Sequence, residues 1–286
     1  MTQPTVTLNN GVKMPMVGFG VFQIPDQDVC QEVVETAIKT GYRLIDTAEA
    51  YGNEEAVGKA IKASGVPREE LFITTKAFIQ HINYEGAKEA FEESLDKLGL
   101  DYLDLYLLHQ PVGDTFGAWR ALEELYKEGK IRAIGVSNFK DDQLANLAIF
   151  NDVVPAVNQI ELHVFHQKEA SVNYQQSKGV QVESWGAFAE GRFDVFTNPV
   201  LTAIADKYGK TTAQVMLRWQ LQRGIVSLSK SANPERVRQN FDIFDFELSA
   251  DDMAQIAGLN SDTTVFADHH AAETVELLAG FVGKSF

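Results

Sequence analysis

The amino-acid sequence predicts an α/β fold in which one domain, residues 1–286, forms a single (β/α)8 TIM barrel. Three observations predict it. Eight short apolar segments recur along the chain, amphipathic helical patterns lie between most of them, and several of these helical patterns end at a glycine. Strands that are covered by helices on one face and packed together on the other are typical of a closed parallel barrel.

The elements follow in regular order. Residues 1–16 predict an N-terminal β-hairpin, because Asn10-Gly11 supplies a turn between two short extended segments. The predicted barrel strands are 17–20, 42–46, 71–76, 103–109, 131–136, 156–161, 180–185 and 225–230. The predicted helices are 28–39, 53–63, 84–98, 116–127, 141–150, 168–178, 211–223 and 234–240. Residues 198–208 form an additional helix-like segment, and we expect the C-terminal tail, 260–286, to lie near the mouth of the barrel.

A doubly wound open sheet is the competing architecture. The segment GFGVFQ at 18–23, followed by Asp46, approximates the glycine fingerprint that opens a dinucleotide-binding helix. Gln23 stands where the third glycine belongs, and residues 24–26 separate the segment from the first helix. We therefore treat the fingerprint as absent.

Composition excludes several classes of function. A net charge of −15 and a pI near 4.8 argue against nucleic acid or an anionic membrane as a partner, because phosphates are contacted mainly by clustered Lys and Arg. The N-terminal residues lack the pattern of a signal peptide, and no stretch approaches about 18 uninterrupted apolar residues. We expect a cytoplasmic monomer. The single cysteine, Cys30, lies on the apolar side of a helical pattern and is expected to be a small buried hydrophobic residue.

Four residues suggest carbonyl reduction: Asp46, Tyr51, Lys76 and His109 lie at or just beyond the ends of consecutive predicted strands. In a parallel α/β protein, chemistry is located at those ends. Tyr51 would be a proton donor, and a nearby Lys76 ammonium would favour its phenolate. Asp46 would neutralise and hold Lys76, while His109 would orient a carbonyl oxygen.

Each of the four also has an ordinary structural explanation. Asp46 could cap a loop, Tyr51 could be a half-buried aromatic residue, Lys76 a solvated strand end and His109 a packed histidine. Four complementary groups at consecutive strand ends favour a functional site, since ionisable groups gather in such sites.

Long segments of the chain resemble one known family. These are GYRLIDTAEAYGNEEAVGKAI, LFITTK, LGLDYLDLYLLHQP, IRAIGVSNF, VNQIELH and SKSANPERVRQN. In this order and spacing they resemble the aldo-keto reductase superfamily, and most closely its bacterial branch with the 2,5-diketo-D-gluconate reductases. The resemblance runs from the hairpin to about Phe266. It implies a TIM barrel that reduces aldehydes and ketones with a nicotinamide cofactor, preferring NADPH, and a tetrad of Asp46, Tyr51, Lys76 and His109 with Tyr51 as proton donor.

The resemblance also implies a cofactor site. The nicotinamide carboxamide would bind to Ser137, Asn138 and Gln159, and its ring would stack on Trp185; loop capping and a core tryptophan are the structural alternatives. The adenosine 2′-phosphate would bind to Lys230, Ser231 and Arg236, with Gln239 and Asn240 near the adenine. A cationic cluster at the start of a helix suits a phosphate, whereas a solvated helix face is the alternative.

The chain departs from the family pattern around these loops. Ser229, Ala187 and Val164 stand where the family more often has proline, and Gln239 replaces a common acidic residue. We expect these changes to affect cofactor affinity more than activity.

The substrate pocket is suggested by aromatic residues, namely Phe22, Phe78 and Phe188 together with Trp185. The short loops that carry them indicate a small substrate. Candidates are a keto ester, an aldehyde, methylglyoxal or a sugar-derived ketone.

The histidines invite a metal interpretation, which we set aside. His163, His166 and the pair His269-His270 supply no evident three-ligand site, so we expect no metal. Two other functions remain as alternatives to the reductase: a cofactor-binding regulatory barrel without turnover, and a metal-dependent barrel hydrolase or isomerase.

Overall fold

The computed structural model describes residues 3–266, 268–269 and 271–283, and its centre is a closed barrel of eight parallel strands. Two short strands, β1 (Thr5–Thr7) and β2 (Lys13–Pro15), form an antiparallel hairpin before it. The barrel strands are β3 (Val17–Gly20), β4 (Leu44–Asp46), β5 (Phe72–Ala77), β6 (Leu103–Leu108), β7 (Ile131–Ser137), β8 (Val157–Glu161), β9 (Gln181–Trp185) and β10 (Val226–Ser229). They follow one another in chain order, and β10 pairs with β3 to close the ring. The predicted (β/α)8 barrel is confirmed.

Helices surround the barrel. They are α1 (Gln27–Thr40), α2 (Glu54–Ser64), α3 (Tyr84–Leu98), α4 (Thr115–Lys127), α5 (Asp141–Ile149), α6 (Glu169–Ser177), α7 (Pro199–Tyr208), α8 (Thr212–Gln222), α9 (Pro234–Phe241), α10 (Ala250–Ala257) and α11 (Ala272–Ala279). The helix-like segment at 198–208 corresponds to α7. The sequence did not predict α10 or α11, which are both eight residues long.

Local sequence explains where these elements begin and end. In the hairpin, Gly11 has φ of 86°, a left-handed conformation that glycine adopts without steric cost, and the Leu8 amide donates to Val12 across the turn at 2.8 Å. Helix α1 begins where the Asp26 side chain accepts a hydrogen bond from the Val29 amide at 3.0 Å. It ends at Gly41, where φ is 127°.

The hairpin closes the amino-terminal end of the barrel. Leu8 and Met14 are buried against apolar side chains that fill the barrel interior, among them Leu44, Phe72 and Leu105. The larger core lies between the barrel and its helices. With the amino-terminal end filled in this way, the carboxyl end is left for a ligand site.

Within the described ranges, no helix combines the length and apolar character needed to cross a bilayer.

Candidate active site

Three neighbouring strands bring the four predicted side chains together. Asp46 ends β4, Lys76 lies in β5, His109 directly follows β6, and Tyr51 ends a 3-10 turn after β4. The Lys76 Nζ atom is 2.7 Å from Asp46 Oδ1 and 3.4 Å from the Tyr51 hydroxyl, and it donates to the Thr47 carbonyl at 2.8 Å. The rings of Tyr51 and His109 meet edge to face, with centroids 5.6 Å apart.

The charges in this cluster depend on one another because all of them are buried. Burial alone would lower the pKa of Lys76, but Asp46 and Tyr51 raise it above its ordinary value, so the ammonium stays charged. Burial raises the pKa of Tyr51, and Lys76 opposes this rise. The effect of Lys76 on Tyr51 thus has the sign expected from the sequence, but burial outweighs it.

His109 is neutral at physiological pH. Burial, together with the positive charge of Lys76 and His269, holds the pKa of its imidazole well below the usual range. The Nδ1 atom is buried and has no hydrogen-bond partner among the described residues. A buried lone pair without a partner is more tolerable than a buried N–H without one, so we assign the proton to Nε2. This tautomer leaves an N–H donor for a ligand.

A fifth ionisable group, Glu183, lies in the same interior layer and was not predicted from the sequence. It is fully buried on β9, and its Oε2 accepts a hydrogen bond from Gln159 Nε2 at 2.8 Å. The same Gln159 nitrogen donates to Asp46 Oδ2 at 2.8 Å. Burial and the neighbouring Asp46 raise the pKa of Glu183 to about 8. The available signal was an acidic residue inside the predicted strand VQVESW, at a position that alternation directs inward.

A cavity of about 350 Å³ opens above these groups. Aromatic side chains form much of its wall: Phe22 lies 5.0 Å from the Tyr51 ring, and Phe78 lies 5.4 Å from the His109 ring, measured between centroids. Both phenylalanines were predicted as pocket residues, and both line this cavity together with Trp185.

Phe188, the third predicted pocket residue, lies elsewhere. The chain turns sharply at Gly186, where φ is 69°, and Phe188 then packs against Phe196 with ring centroids 6.0 Å apart. It lines a second cavity next to the first and not the first cavity itself.

Residues of the C-terminal tail complete the wall of the first cavity. The rings of Phe266 and His269 pack edge to face on Trp185, at 5.4 and 5.8 Å. Glu161, at the end of β8, holds this part of the tail by accepting hydrogen bonds from the Val265 amide at 2.7 Å and the Thr264 hydroxyl at 2.5 Å. The tail residues Phe266, His269 and Phe281 all line the cavity, although the sequence singled out none of them as a pocket residue.

The predicted nicotinamide residues line the same cavity. Asn138 has φ of 63°, which turns its amide back to donate to the His109 carbonyl at 3.1 Å. Its Oδ1 accepts a hydrogen bond from Trp185 Nε1 at 2.9 Å, which fixes the orientation of the indole. The Ser137 hydroxyl donates to the backbone carbonyl of Gln159 at 2.8 Å.

The predicted phosphate and adenine residues line the second cavity, at the start of α9. Asn233 caps this helix by accepting hydrogen bonds from the amides of Glu235 and Arg236. Lys230 lines both cavities and therefore lies where they join. The second cavity contains all five predicted residues: Lys230, Ser231, Arg236, Gln239 and Asn240.

The three positions where the family more often has proline are packed in the structure. The Ser229 hydroxyl lies 3.2 Å from the Tyr42 hydroxyl inside the core, and Val164 and Ala187 are buried.

The histidines considered as metal ligands have other surroundings. His163 Nε2 is 3.1 Å from Glu161 Oε1, and its backbone pairs with that of His166. His270 lies outside the described residues. Among the residues that are described, no three His, Cys, Asp or Glu side chains converge in a manner that would hold a metal ion.

Barrel and site together define a class of protein: an oxidoreductase of the (β/α)8 type that reduces carbonyl groups with a nicotinamide cofactor. A profile of the aldo/keto reductase family matches residues 16–261, and the chain belongs to this family. The resemblance noted in the sequence is thereby confirmed, while the particular branch stays a prediction.

The sequences of two relatives align with nearly the whole chain. A glyoxal reductase of Bacillus subtilis is 50% identical over 262 residues, which cover 91% of this chain and 94% of the relative. A morphine 6-dehydrogenase of Pseudomonas putida is 45% identical over 285 residues, 95% of this chain and 96% of the relative.

Solved structures show the same fold. An aldo-keto reductase from a deep-sea metagenome library of the Medee basin superposes with a TM-score of 0.91 at 42% identity, covering 94% of this chain and 99% of that one. The Bombyx mori aldo-keto reductase in complex with NADP superposes with a TM-score of 0.88 at 35% identity, covering 93% and 96%.

Proposed function

We propose that this enzyme reduces a small aldehyde or ketone to the alcohol with NADPH, and that Tyr51 donates the proton. The observation that carries this proposal is the position of the Tyr51 hydroxyl. It lies 3.4 Å from the buried Lys76 ammonium and beside His109, on the floor of an aromatic cavity. Phenol and imidazole thus both face the cavity, where one carbonyl oxygen can contact them, and the ammonium is buried behind the phenol.

Each side chain has a separate part in the reaction. The Nε2–H of neutral His109 donates to the carbonyl oxygen and orients it, and Tyr51 gives its proton to that oxygen as negative charge develops there. Lys76 stabilises the phenolate left on Tyr51, and Asp46 holds Lys76 in place. A nicotinamide held by Ser137, Asn138, Gln159 and Trp185 would supply the hydride for the carbonyl carbon.

The shape and polarity of the two cavities fit the cofactor. Amide and hydroxyl groups of Ser137, Asn138 and Gln159 surround the place of a carboxamide, and the Trp185 indole offers a stacking surface beside it. Lys230, where the two cavities join, and Arg236 in the second cavity are two cations near a helix start, and they favour a phosphate. This pair of cations supports NADPH over NADH.

The substrate is small and partly apolar, because the first cavity is modest in volume and several aromatic side chains line it. The relative named glyoxal reductase is 50% identical, and this supports a short dicarbonyl compound as the first candidate.

NADPH oxidation tests the proposal. Absorbance at the nicotinamide band should fall when NADPH is mixed with glyoxal, methylglyoxal, aromatic aldehydes or keto esters. Tyr51→Phe should lower kcat by roughly 100-fold or more, the usual contribution of a general acid, and leave the Kd for NADPH nearly unchanged.

Tyr84→Phe is the matched control, since the Tyr84 hydroxyl donates to Glu124 on the outer helices, away from the site. A Tyr51→Phe enzyme that keeps most of its activity would contradict the assignment of the proton donor. Binding of NADPH without turnover of any carbonyl would instead favour a regulatory barrel, and loss of activity on adding a chelator would favour a metal-dependent enzyme.

A further inference from the structure

We propose that Glu183 is a positioning residue, which acts with Asp46 to fix the side-chain amide of Gln159 so that its carbonyl oxygen faces the bound cofactor. The inference rests on the proposed function, because it assigns Gln159 to the nicotinamide carboxamide. It assigns a role to Glu183 and explains the orientation of the Gln159 amide.

The three side chains cross the interior of the barrel. Gln159 on β8 and Glu183 on β9 are register partners on adjacent strands. Asp46 is on β4, which lies opposite β8 in the ring of eight strands. Gln159 Nε2 is 2.8 Å from Asp46 Oδ2 and 2.8 Å from Glu183 Oε2. Gln159 therefore bridges the two walls of the barrel just below the cavity.

Donor and acceptor counts determine which way the amide faces. A glutamine amide has two N–H donors on its nitrogen and lone pairs on its oxygen. The Asp46 carboxylate can only accept, and Glu183 accepts through Oε2 whether or not its other oxygen carries a proton, so both bond to the nitrogen of Gln159. With both N–H groups engaged, only Oε1 of Gln159 remains for a ligand, and Gln159 lines the cavity. An acceptor at this point suits the N–H₂ of the nicotinamide carboxamide.

Asp46 alone would hold the amide less firmly. With one acceptor, the Gln159 side chain could rotate about its terminal torsion, which is broad in glutamine. The second acceptor removes this freedom, because turning the amide over would place its oxygen against two carboxyl groups at once.

A glutamate at this position is costly for folding. Glu183 is fully buried, and its Oε1 has no hydrogen-bond partner among the described residues. An apolar side chain of similar size would avoid both penalties. A residue that breaks the local rule for an interior strand position is expected to serve the site.

The protonation of Glu183 is compatible with this role. Burial and the nearby Asp46 raise its pKa to about 8, so the carboxyl is mostly protonated at neutral pH. With the proton on Oε1, which has no partner among the described residues, Oε2 still accepts from Gln159 Nε2, and the repulsion between the two buried acids is reduced.

The test uses NADPH labelled with deuterium stereospecifically at C4, on one face or the other. Wild-type enzyme should transfer hydrogen from one face only. Glu183→Met keeps the length of the side chain but removes the acceptor. It should lower kcat by about tenfold, as misplacement of a reactant does, and should allow measurable transfer from the second face. Glu183→Gln is the second variant, and its own N–H₂ can donate to Gln159 Oε1 and turn the amide over. It should show the same two changes to a smaller degree.

A double-mutant cycle with Gln159→Met shows whether Glu183 acts through Gln159. If it does, the double variant should be no worse than Gln159→Met alone. Glu123→Gln is the matched control, because Glu123 is also a buried glutamate but accepts from the Val153 amide on the outer side of the barrel.

Unchanged kcat and unchanged facial selectivity in both Glu183 variants would overturn the inference, and so would effects that add to those of Gln159→Met. A loss of stability alone, with normal facial selectivity, would assign Glu183 a purely structural role and also overturn it. Failure of the proposed function would be seen separately, as an active Tyr51→Phe enzyme.

Discussion

Two buried acids and one buried base lie in the layer of side chains below the cavity. Lys76 pairs directly with Asp46 at 2.7 Å, while among the described residues the Gln159 amide is the only hydrogen-bond donor to Glu183. Because Lys76 offsets one carboxylate, ionisation of the second leaves an excess of negative charge in a medium of low polarity. The Glu183 carboxyl therefore holds its proton to a higher pH than an exposed glutamate does.

This protonation makes stability depend on pH. The pKa of Glu183 is about 8 in the folded enzyme, against an ordinary value of 4.5. Between these values the unfolded chain has released the proton that the folded chain retains, so the free energy of unfolding falls as pH rises through that window. Glu183→Gln cannot ionise. We expect its Tm relative to wild type to increase from pH 5 to pH 8.5.

Thermal unfolding of both proteins at pH 5, 7 and 8.5 measures this difference. Glu183 interacts through charge with Asp46, Lys76 and Tyr51, and all three are present in both proteins. The difference in Tm therefore reports the ionisation of Glu183. A difference that stays constant with pH would show that Glu183 titrates normally.

At the level of residues, the sequence predicted the groups at or near strand ends but not Glu183, which lies inside β9. Asp46, Lys76 and His109 were identifiable because each follows an apolar run. Glu183 was not, because strand alternation shows that it points inward but not which side chain it meets across the barrel. Phe188 was expected beside the first cavity but lines the second, beyond a left-handed turn at Gly186, and the presence of a glycine in the sequence does not reveal its φ.

The end of β10 and the start of α9 act together as an element. Lys230 follows the strand, Asn233 caps the helix, and Arg236 lies in its first turn. The two cations lie beside the same cavity, within reach of the partial positive charge of the helix start. This is a favourable place for a phosphate monoester.

Replacing either cation should therefore reduce discrimination between cofactors. Lys230→Ala and Arg236→Ala should each raise the KM for NADPH by about tenfold and change the KM for NADH little, because NADH lacks the 2′-phosphate. Initial rates with both cofactors measure the effect.

Arg238→Ala is the matched control on the same helix, since Arg238 pairs with Glu235 at 3.3 Å on its exposed side. Equal changes in KM for NADPH and NADH would contradict the assignment of the 2′-phosphate to this site.

The helices differ in how well the sequence predicted them. The longer helices were predicted nearly to their ends, because several turns of apolar periodicity and a terminal glycine define them. Helices α10 and α11 have two turns each, too few for periodicity to stand out, although Ser249 caps α10 by accepting from the Asp252 amide at 3.2 Å.

At the scale of the whole molecule, the hairpin that stabilises the barrel and the residues of the candidate site lie at opposite ends of the barrel. One end of the barrel is sealed by the hairpin, whose Met14 is fully buried among interior side chains, and the other end carries the two cavities. Eight alternating segments were enough to predict closure of the barrel. The tail was harder to place, because contacts such as that of Trp185 with Phe266 join residues distant in sequence.

Met14→Ala tests this separation. Removing a fully buried methionine side chain should lower the free energy of unfolding by about 2–4 kcal/mol, through lost burial and the cavity left behind. The kcat should stay unchanged at a temperature where the variant is folded. Chemical denaturation and steady-state kinetics on the same preparation measure both quantities.

Val12→Ala, at a half-buried position of the same hairpin, is the control and should cost less. A parallel loss of kcat in the folded Met14→Ala enzyme would show that the two ends are coupled.

The hydrogen bonds of Glu161 to the tail affect how the substrate of this enzyme can change during evolution. The Glu161 carboxylate attaches the tail to the end of β8 through Thr264 and Val265, and the tail residues beyond them form one wall of the first cavity. The tetrad, in contrast, is carried entirely by β4, β5, β6 and the turn after β4. Mutations that reshape the tail can therefore alter which molecules are admitted while the reacting groups keep their positions, so a lineage can acquire new substrates without rebuilding its catalytic centre.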